Sequence, residues 1–293
     1  MSEEEDDVHF PPGHIIDTPK TKFVVDKLLG EGGFGAVYRV FDQADKTLQY
    51  AMKVEKKKEE RKDSKLKMEI AILKMVAAER KDKDTFFFLV MQLLGKSLAD
   101  LKNKRPEKDL HKHGFIHRDL KPANYAIGLG DKKRIVFILD FGIARKYTND
   151  KNELKTPREK ARFKGTVKFA SIACHKNIEL GPKDDCESWF YLLIDITQSH
   201  GLPWKKIQQR DDVMRCKEES RRGEKREMLF DGLKCKKELG RVIDYIDGLR
   251  YHDKVDYSFI YEVLKLAATT AGGSIDDLYD WEKDDDPARS KMG

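Results

Sequence analysis

Residues 117–124 read HRDLKPAN, and the residue types in that run are those of phosphoryl-transfer chemistry. Asp119 is a carboxylate able to accept the proton of an attacking hydroxyl. Two positions on, Lys121 can neutralise charge on a transferred phosphoryl group. Asn124 offers a side-chain oxygen to a hard cation, and Asp140, the first residue of DFG, offers a carboxylate just beyond the apolar run VFIL. Magnesium keeps most of its waters and takes few protein ligands, so it suits such a sparse oxygen pair.

A second group lies earlier in the chain. GEGGFGAV sets Gly30, Gly32 and Gly35 in G-x-G-x-x-G spacing. The following AVYRVF reads as strand and not as helix, and no Gly-Lys-Ser/Thr is present, which removes the dinucleotide-binding turn and the P-loop. A glycine-rich hairpin leaves backbone N–H groups free to approach a phosphate. YAMKVE then places Lys53 on the inward face of a strand among apolar neighbours. A buried ammonium needs a partner or an anion, and Glu69 further along is the candidate partner.

These residues need a frame. FVVDKLLG, GAVYRVFD and LQYAMKVEKK are strand-like runs separated by GEGGFG and DQADK, which predicts an antiparallel meander. Leu66, Ile70, Leu73 and Ala77 fall at helical spacing, with Asp63 or Ser64 as cap. TFFFLVMQLL predicts a buried strand and VFILDFG another short apolar strand. DDCESWFYLLIDIT is apolar almost all round and predicts a buried helix. The pattern is mainly helical from there to a glycine stop after FIYEVLKLAATTAGG. Strands first and helices later, with no β-α alternation, predicts an α+β fold and argues against a nucleotide-binding oxidoreductase.

Composition narrows the class. Fifty-eight basic and 52 acidic residues leave a net charge of +6, scattered along the chain. A basic cleft for acidic substrates fits this as well as RNA does. Cys174, Cys186, Cys216 and Cys235 lack zinc-site spacing. The acidic opening MSEEEDDVHF is unlike a signal peptide, and no apolar run reaches the ~18–20 residues of a membrane span. The expectation is a soluble, cytoplasmic protein; the basic run KKKEERK at 56–62 reads as solvated, with nuclear import as its alternative.

With these motifs in this order, the chain from about Phe23 to Leu278 resembles a eukaryotic protein kinase. VMQLLGKSLADL, GTVKFASIACHKN, DDCES and GLPW are similar to the casein kinase 1 group, and SIACHKNIE stands where other kinases carry Ala-Pro-Glu. YTNDKNELKTPREKARFKGTVKFAS and YDWEK resemble the tau-tubulin kinase branch. The resemblance implies a bilobal fold: an acidic flexible tail over 1–16, an ATP-binding sheet lobe over 17–95 with one helix, a helical catalytic and substrate-binding lobe over 96–279, and a polar tail over 280–293. It implies a serine/threonine kinase using ATP and Mg2+.

The resemblance also assigns roles. Gly30, Gly32 and Gly35 would cover the ATP phosphates, with Leu29, Glu31, Gly33, Phe34, Val37 and Ala51 completing the cofactor contacts. Lys53 would bind phosphate and pair with Glu69. Met91 would back the adenine, the backbone of Gln92 and Leu94 would bond its edge, and Asp100 would face the ribose. Asp119 would be the base, Lys121 the phosphate partner, and Asn124 and Asp140 the metal ligands. Asp185 would pin the catalytic loop from the buried helix. Arg162, Lys164 and Lys168 would favour acidic or phosphorylated residues in Ser/Thr protein substrates, cytoskeletal ones among them. No nucleic acid or membrane partner is implied, and the chain is expected to be monomeric.

One feature of the resemblance conflicts with activity. LADLKNKRPEK runs directly into DLHKHGFIHRD, short of the family pattern by about twenty residues, roughly 30 Å of helix. A similar break near 80/81 removes a strand before TFFFLVMQ. The expectation is an uncovered apolar face on WFYLLIDI, a catalytic loop with little left of its first support, and as the alternative function a catalytically impaired kinase-like binding protein.

Overall fold

Turn chemistry and alternation build the first sheet. The computed structural model describes residues 9–18, 21–32, 35–56, 79–82, 86–92, 108–279 and 282. Strands β2 (Lys22–Gly32), β3 (Gly35–Asp42) and β4 (Gln49–Lys56) form the expected antiparallel meander. Between β3 and β4, the Asp42 and Asp45 carboxylates accept from Ala44 N at 2.8 Å and Thr47 N at 2.9 Å, which closes the reversal with side-chain turns. Ala36, Tyr38 and Val40 alternate inward on β3 and join Phe23, Val25, Met52 and Val54 in one apolar cluster.

Two expectations are corrected at the edges of this sheet, whose order is β1-β2-β3-β4-β6-β5. The acidic tail assigned to 1–16 is structured from its end: β1 (Ile15–Asp17) pairs with β2, Ile16 enters the core, and Phe10 N donates to Tyr38 Oη at 3.2 Å. The strand expected to be lost near 80/81 is occupied by β5 (Glu79–Asp82), antiparallel to β6 (Phe86–Gln92). Backbone pairing needs N–H and C=O groups and not a particular sequence, so the charged ERKD serves as an edge strand. The helix expected around Leu66–Ala77, with Glu69, lies outside the described residues, as do Leu94, expected at the adenine edge, and Asp100, expected at the ribose.

The second part is helical: α1 (Lys108–Lys112), α2 (Ile172–His175), α3 (Pro182–Thr197), α4 (Arg210–Glu219), α5 (Gly223–Leu229), α6 (Lys236–Gly248) and α7 (Tyr257–Thr270). Two small antiparallel pairs accompany them, β7 (Phe115–Ile116) with β10 (Arg145–Lys146), and β8 (Tyr125–Ile127) with β9 (Val136–Ile138). The described residues to Gln92, together with Asp140–Gly142, form one unit, and the remainder forms the other. A sheet-rich N-terminal part and a helical C-terminal part make the fold α+β, as the order of elements predicts. Among the described residues no helix is long and apolar enough to cross a membrane.

Helix α3 is buried on nearly every side. Pro182 opens it, and the Asp184 carboxylate accepts from Gly181 N at 2.9 Å, satisfying an amide at the helix start. The expected bare apolar face is corrected. Trp189, Leu192, Leu193 and Ile194 are all buried in a cluster that Leu239, Val242 and Ile243 of α6 and Ile260 and Val263 of α7 complete. What remains is a cleft of about 150 Å³ walled by Leu192, Ile196, Leu239, Leu264 and Ala268. An Ala268→Leu substitution adds apolar volume there and is expected to stabilise the protein by about 0.5–2 kcal/mol, read as a higher urea midpoint. An unchanged or lower midpoint would mean the walls cannot accept the side chain.

Candidate active site

The strand register collects the predicted nucleotide residues on one face. Val37 pairs with both Gly30 and Lys53, Arg39 with Ala51, and Ala51 with Met91. Gly30, Val37, Ala51, Lys53 and Met91 therefore share the side of the sheet opposite Tyr38, Met52 and Val54. Lys53 was expected among apolar neighbours; it is only 8 % exposed, but on the face away from the apolar cluster, with its ammonium 3.1 Å from Asp140 Oδ1. Asp140 sits at φ 61°, a left-handed conformation rare outside glycine, and its Oδ1 also accepts from Gly142 N at 3.2 Å. Such strain persists where the surroundings over-determine it and is common at functional sites.

Gly35 is required by the fold: at φ +103° a Cβ would stand 2.0 Å from Val54 O. Gly30 has neither a positive φ nor a neighbour within 4 Å of a notional Cβ. Leu29 and Glu31 are exposed on β2, and the backbones of Gly32 and Gln92 lie at strand ends. Gly33 and Phe34 lie outside the described residues.

The catalytic loop is built on Asp185 of α3. Its carboxylate accepts from His117 N at 2.6 Å, Arg118 N at 2.9 Å and His111 Nε2 at 2.8 Å. Two consecutive amides reach one carboxylate because Arg118 turns the chain at φ 69°. His111 also bonds the Tyr257 hydroxyl, and its carbonyl accepts from Tyr147 Oη at 2.8 Å. The one turn of α1 thus supplies support through His111, which corrects the expectation of a loop left almost unsupported. Burial pushes the Asp185 carboxyl up, but the His111 hydrogen bond and charge, with the His117 ring and amide, hold it below the usual carboxylate range. The His117 ring accepts from Asp119 N at Nδ1, 3.2 Å, and donates from Nε2 to Leu139 O at 2.9 Å.

Asp119 is 7 % exposed. Lys121 Nζ donates to its Oδ2 at 2.9 Å and Thr166 Oγ1 to its Oδ1 at 2.7 Å. Asn124 Nδ2 donates to the Asp119 carbonyl at 2.8 Å, which leaves the Asn124 amide oxygen as its remaining ligand atom.

Thr166 and Gly165 were not singled out by residue type. Gly165 has φ +97°, and a Cβ there would lie 2.3 Å from Arg118 O and 3.4 Å from Asp119 Oδ1, so only glycine lets this segment approach the catalytic loop. The signal was the GT pair inside GTVKFAS, unreadable without the approach. Of the basic residues, Arg162 and Lys164 are exposed, whereas Lys168 is paired with Asp195 at 2.8 Å. Glu179 was likewise missed. It is buried between Arg145, at 3.2 Å, and Arg158, whose Nη2 is 3.0 Å away. Burial, followed by the charges of Arg145 and Arg158, pushes the Arg118 guanidinium down to about 10.

Comparison with known proteins identifies a family. Residues 108–234 match the protein kinase domain family. A Caenorhabditis elegans protein described as a serine/threonine-protein kinase is 32 % identical over 74 % of this chain and 73 % of its own length. The serine/threonine-protein kinase spe-6 of the same organism is 29 % identical over 97 % of this chain and 83 % of its own length. A serine/threonine-protein kinase of Dictyostelium discoideum is 29 % identical over 94 % of this chain, which spans 59 % of that relative's length. The chain belongs to the serine/threonine protein kinase family, whose members use ATP and Mg2+.

Proposed function

We propose that this chain transfers the γ-phosphate of ATP to serine or threonine hydroxyls of protein substrates. The observation that carries the reading is the buried Asp119 carboxylate, held between the Lys121 ammonium and the Thr166 hydroxyl on a loop pinned by Asp185. In this reading Asp119 orients the acceptor hydroxyl and takes its proton, while Lys121 offsets negative charge beside it. Lys53, Gly30, Gly32, Gly35, Val37, Ala51 and Met91 would hold the nucleotide, and Asn124 and Asp140 the magnesium ion. The donor set fits both groups. Asn124 and Asp140 present hard oxygen ligands, and Lys53 is a buried ammonium suited to phosphate. ATP supplies the activated phosphoryl group and magnesium the charge that screens it.

The placement in the casein kinase 1 group and its tau-tubulin branch rests on the segments quoted above. So does a preference for acidic, phosphorylated or cytoskeletal substrates, and an active monomer in the cytoplasm and nucleus. The His111–Asp185 anchor favours the active reading over the impaired one. The test incubates the chain with labelled ATP, Mg2+ and two Ser/Thr peptides, one acidic and one its neutral isostere, at low and high salt. Label is expected on both peptides, with the acidic one preferred through exposed Arg162 and Lys164 and less so at high salt. No transfer to either peptide would overturn the activity. Equal efficiencies at low salt would overturn the acidic preference alone.

A further inference from the structure

Lys217 of α4 is 0 % exposed, and its ammonium has three N–H donors directed at three acceptors. It donates to Ala170 O at 2.6 Å and Val167 O at 2.9 Å, and lies 3.1 Å from His175 Nε2. It also faces the rings of Tyr191 and Trp204, 4.8 and 5.5 Å from their centroids. A methionine would fill the same space without the cost of burying a charge, so packing alone does not account for a lysine here.

The two carbonyls belong to the segment that reaches Asp119. Phe169 N and Ala170 N both donate to Thr166 O at 2.9 Å, and Thr166 Oγ1 donates to Asp119. Trp204 Nε1 holds Lys168 O at 2.8 Å. The segment is a tight turn whose outward carbonyls are tied to α4 and Trp204 and whose first residue touches the catalytic carboxylate. A shift of Val167 or Ala170 passes to Thr166 through two hydrogen bonds.

We propose that Lys217 is a positioning residue for segment 166–170, holding it in the geometry that accepts protein substrate and doing so only while charged. The proposal rests on the kinase reading of the site. Burial, opposed by the charge of Glu187 on α3, pushes the Lys217 ammonium down to about 7. The other titratable groups facing it are Tyr191 on α3, Cys174 and His175 on α2, Cys216 on α4, and Arg221 in the turn after α4. His175 is pushed down to about 4 by its own burial and by Lys217, so it stays neutral and accepts. Neutral Lys217 has two N–H donors for three acceptors and no charge to strengthen them, so its hold on the two segment carbonyls weakens.

The test compares wild type with Lys217→Met. Peptide kcat/KM is expected to fall about 10–100-fold, mostly in peptide KM, while the KM for ATP stays within about two-fold. In wild type, peptide kcat/KM is expected to fall as pH rises through about 7, and that limb is absent from the variant. A second measurement needs neither activity nor the variant. In wild type, hydrogen-exchange protection of the Phe169 and Ala170 amides, corrected for intrinsic exchange, is expected to drop between about pH 6 and 8.5 while α3 stays protected. Parallel losses in ATP and peptide parameters with a lower Tm, or pH-independent protection of those two amides, would overturn the proposal. If wild type transfers no phosphate but the amides loosen as described, the kinase reading fails and the positioning role stands.

Discussion

Asp119→Asn is expected to lower kcat by about 10²–10⁴-fold with little change in Tm, the effect of losing the proposed general base from an intact loop. The amide oxygen still accepts from Thr166 Oγ1, so that contact survives. The amide nitrogen replaces an acceptor facing Lys121 Nζ, but Lys121 is partly exposed and can turn to water. An amide cannot take the proton of an acceptor hydroxyl at neutral pH. Single-turnover phosphorylation of a Ser/Thr peptide, with a melting curve for each protein, checks this. Unchanged turnover in a folded variant would show that Asp119 is not the base.

Removing the Asp185 carboxylate has the largest expected effect on stability. In Asp185→Ala the amides of His117 and Arg118 and the His111 ring lose their shared acceptor in a buried site. Breaking a buried charged arrangement by deleting one partner costs about 3–5 kcal/mol, a large share of the roughly 5–15 kcal/mol that stabilises a domain. Arg118 at φ 69° loses what compensates its backbone strain, so the loop is expected to relax and transfer to stop even where the variant folds. Urea unfolding measures the loss, and a midpoint within error of wild type would refute it.

The same carboxylate gives an acid signature. Its folded-state pKa is depressed, so its stabilisation is complete above the unfolded value of about 3.9 and is lost as pH falls through the lower folded value. Neighbouring Asp184, raised by burial, titrates with the opposite sign. The difference between wild type and Asp185→Asn isolates Asp185: the loss of stability as pH falls below about 4 is expected to be shallower in the variant.

Much of the proposed site was legible because its chemistry is local. HRDLKPAN carries the proposed base, phosphate partner and amide ligand within eight positions, and DFG follows a recognisable strand. Period-two alternation in GAVYRVFD and YAMKVE placed Val37 and Lys53 on strands, and the register put them on one face. The errors came from segments whose structure is set by neighbours. ERKD has no strand character, yet β6 offers it an unpaired edge. The residues before Asp17 read as an acidic tail, but Ile16 and Phe10 find apolar partners on the sheet. The shortened approach to the catalytic loop suggested a lost support, and His111 supplies one through a carboxylate 74 positions away.

The sequence by itself determined the kinase family, the residues proposed to act in it, and the succession of a sheet-rich part by a helical part, since each depends on residue type and short-range spacing. The tertiary structure decided what those residues touch. It set Thr166 against Asp119, placed Gly165 where no Cβ fits, brought two consecutive amides and a histidine to Asp185, and buried the Lys217 ammonium under the turn that carries Thr166. These contacts join residues tens of positions apart. Their energies come from burial and hydrogen-bond geometry, which exist only once the chain has closed on itself.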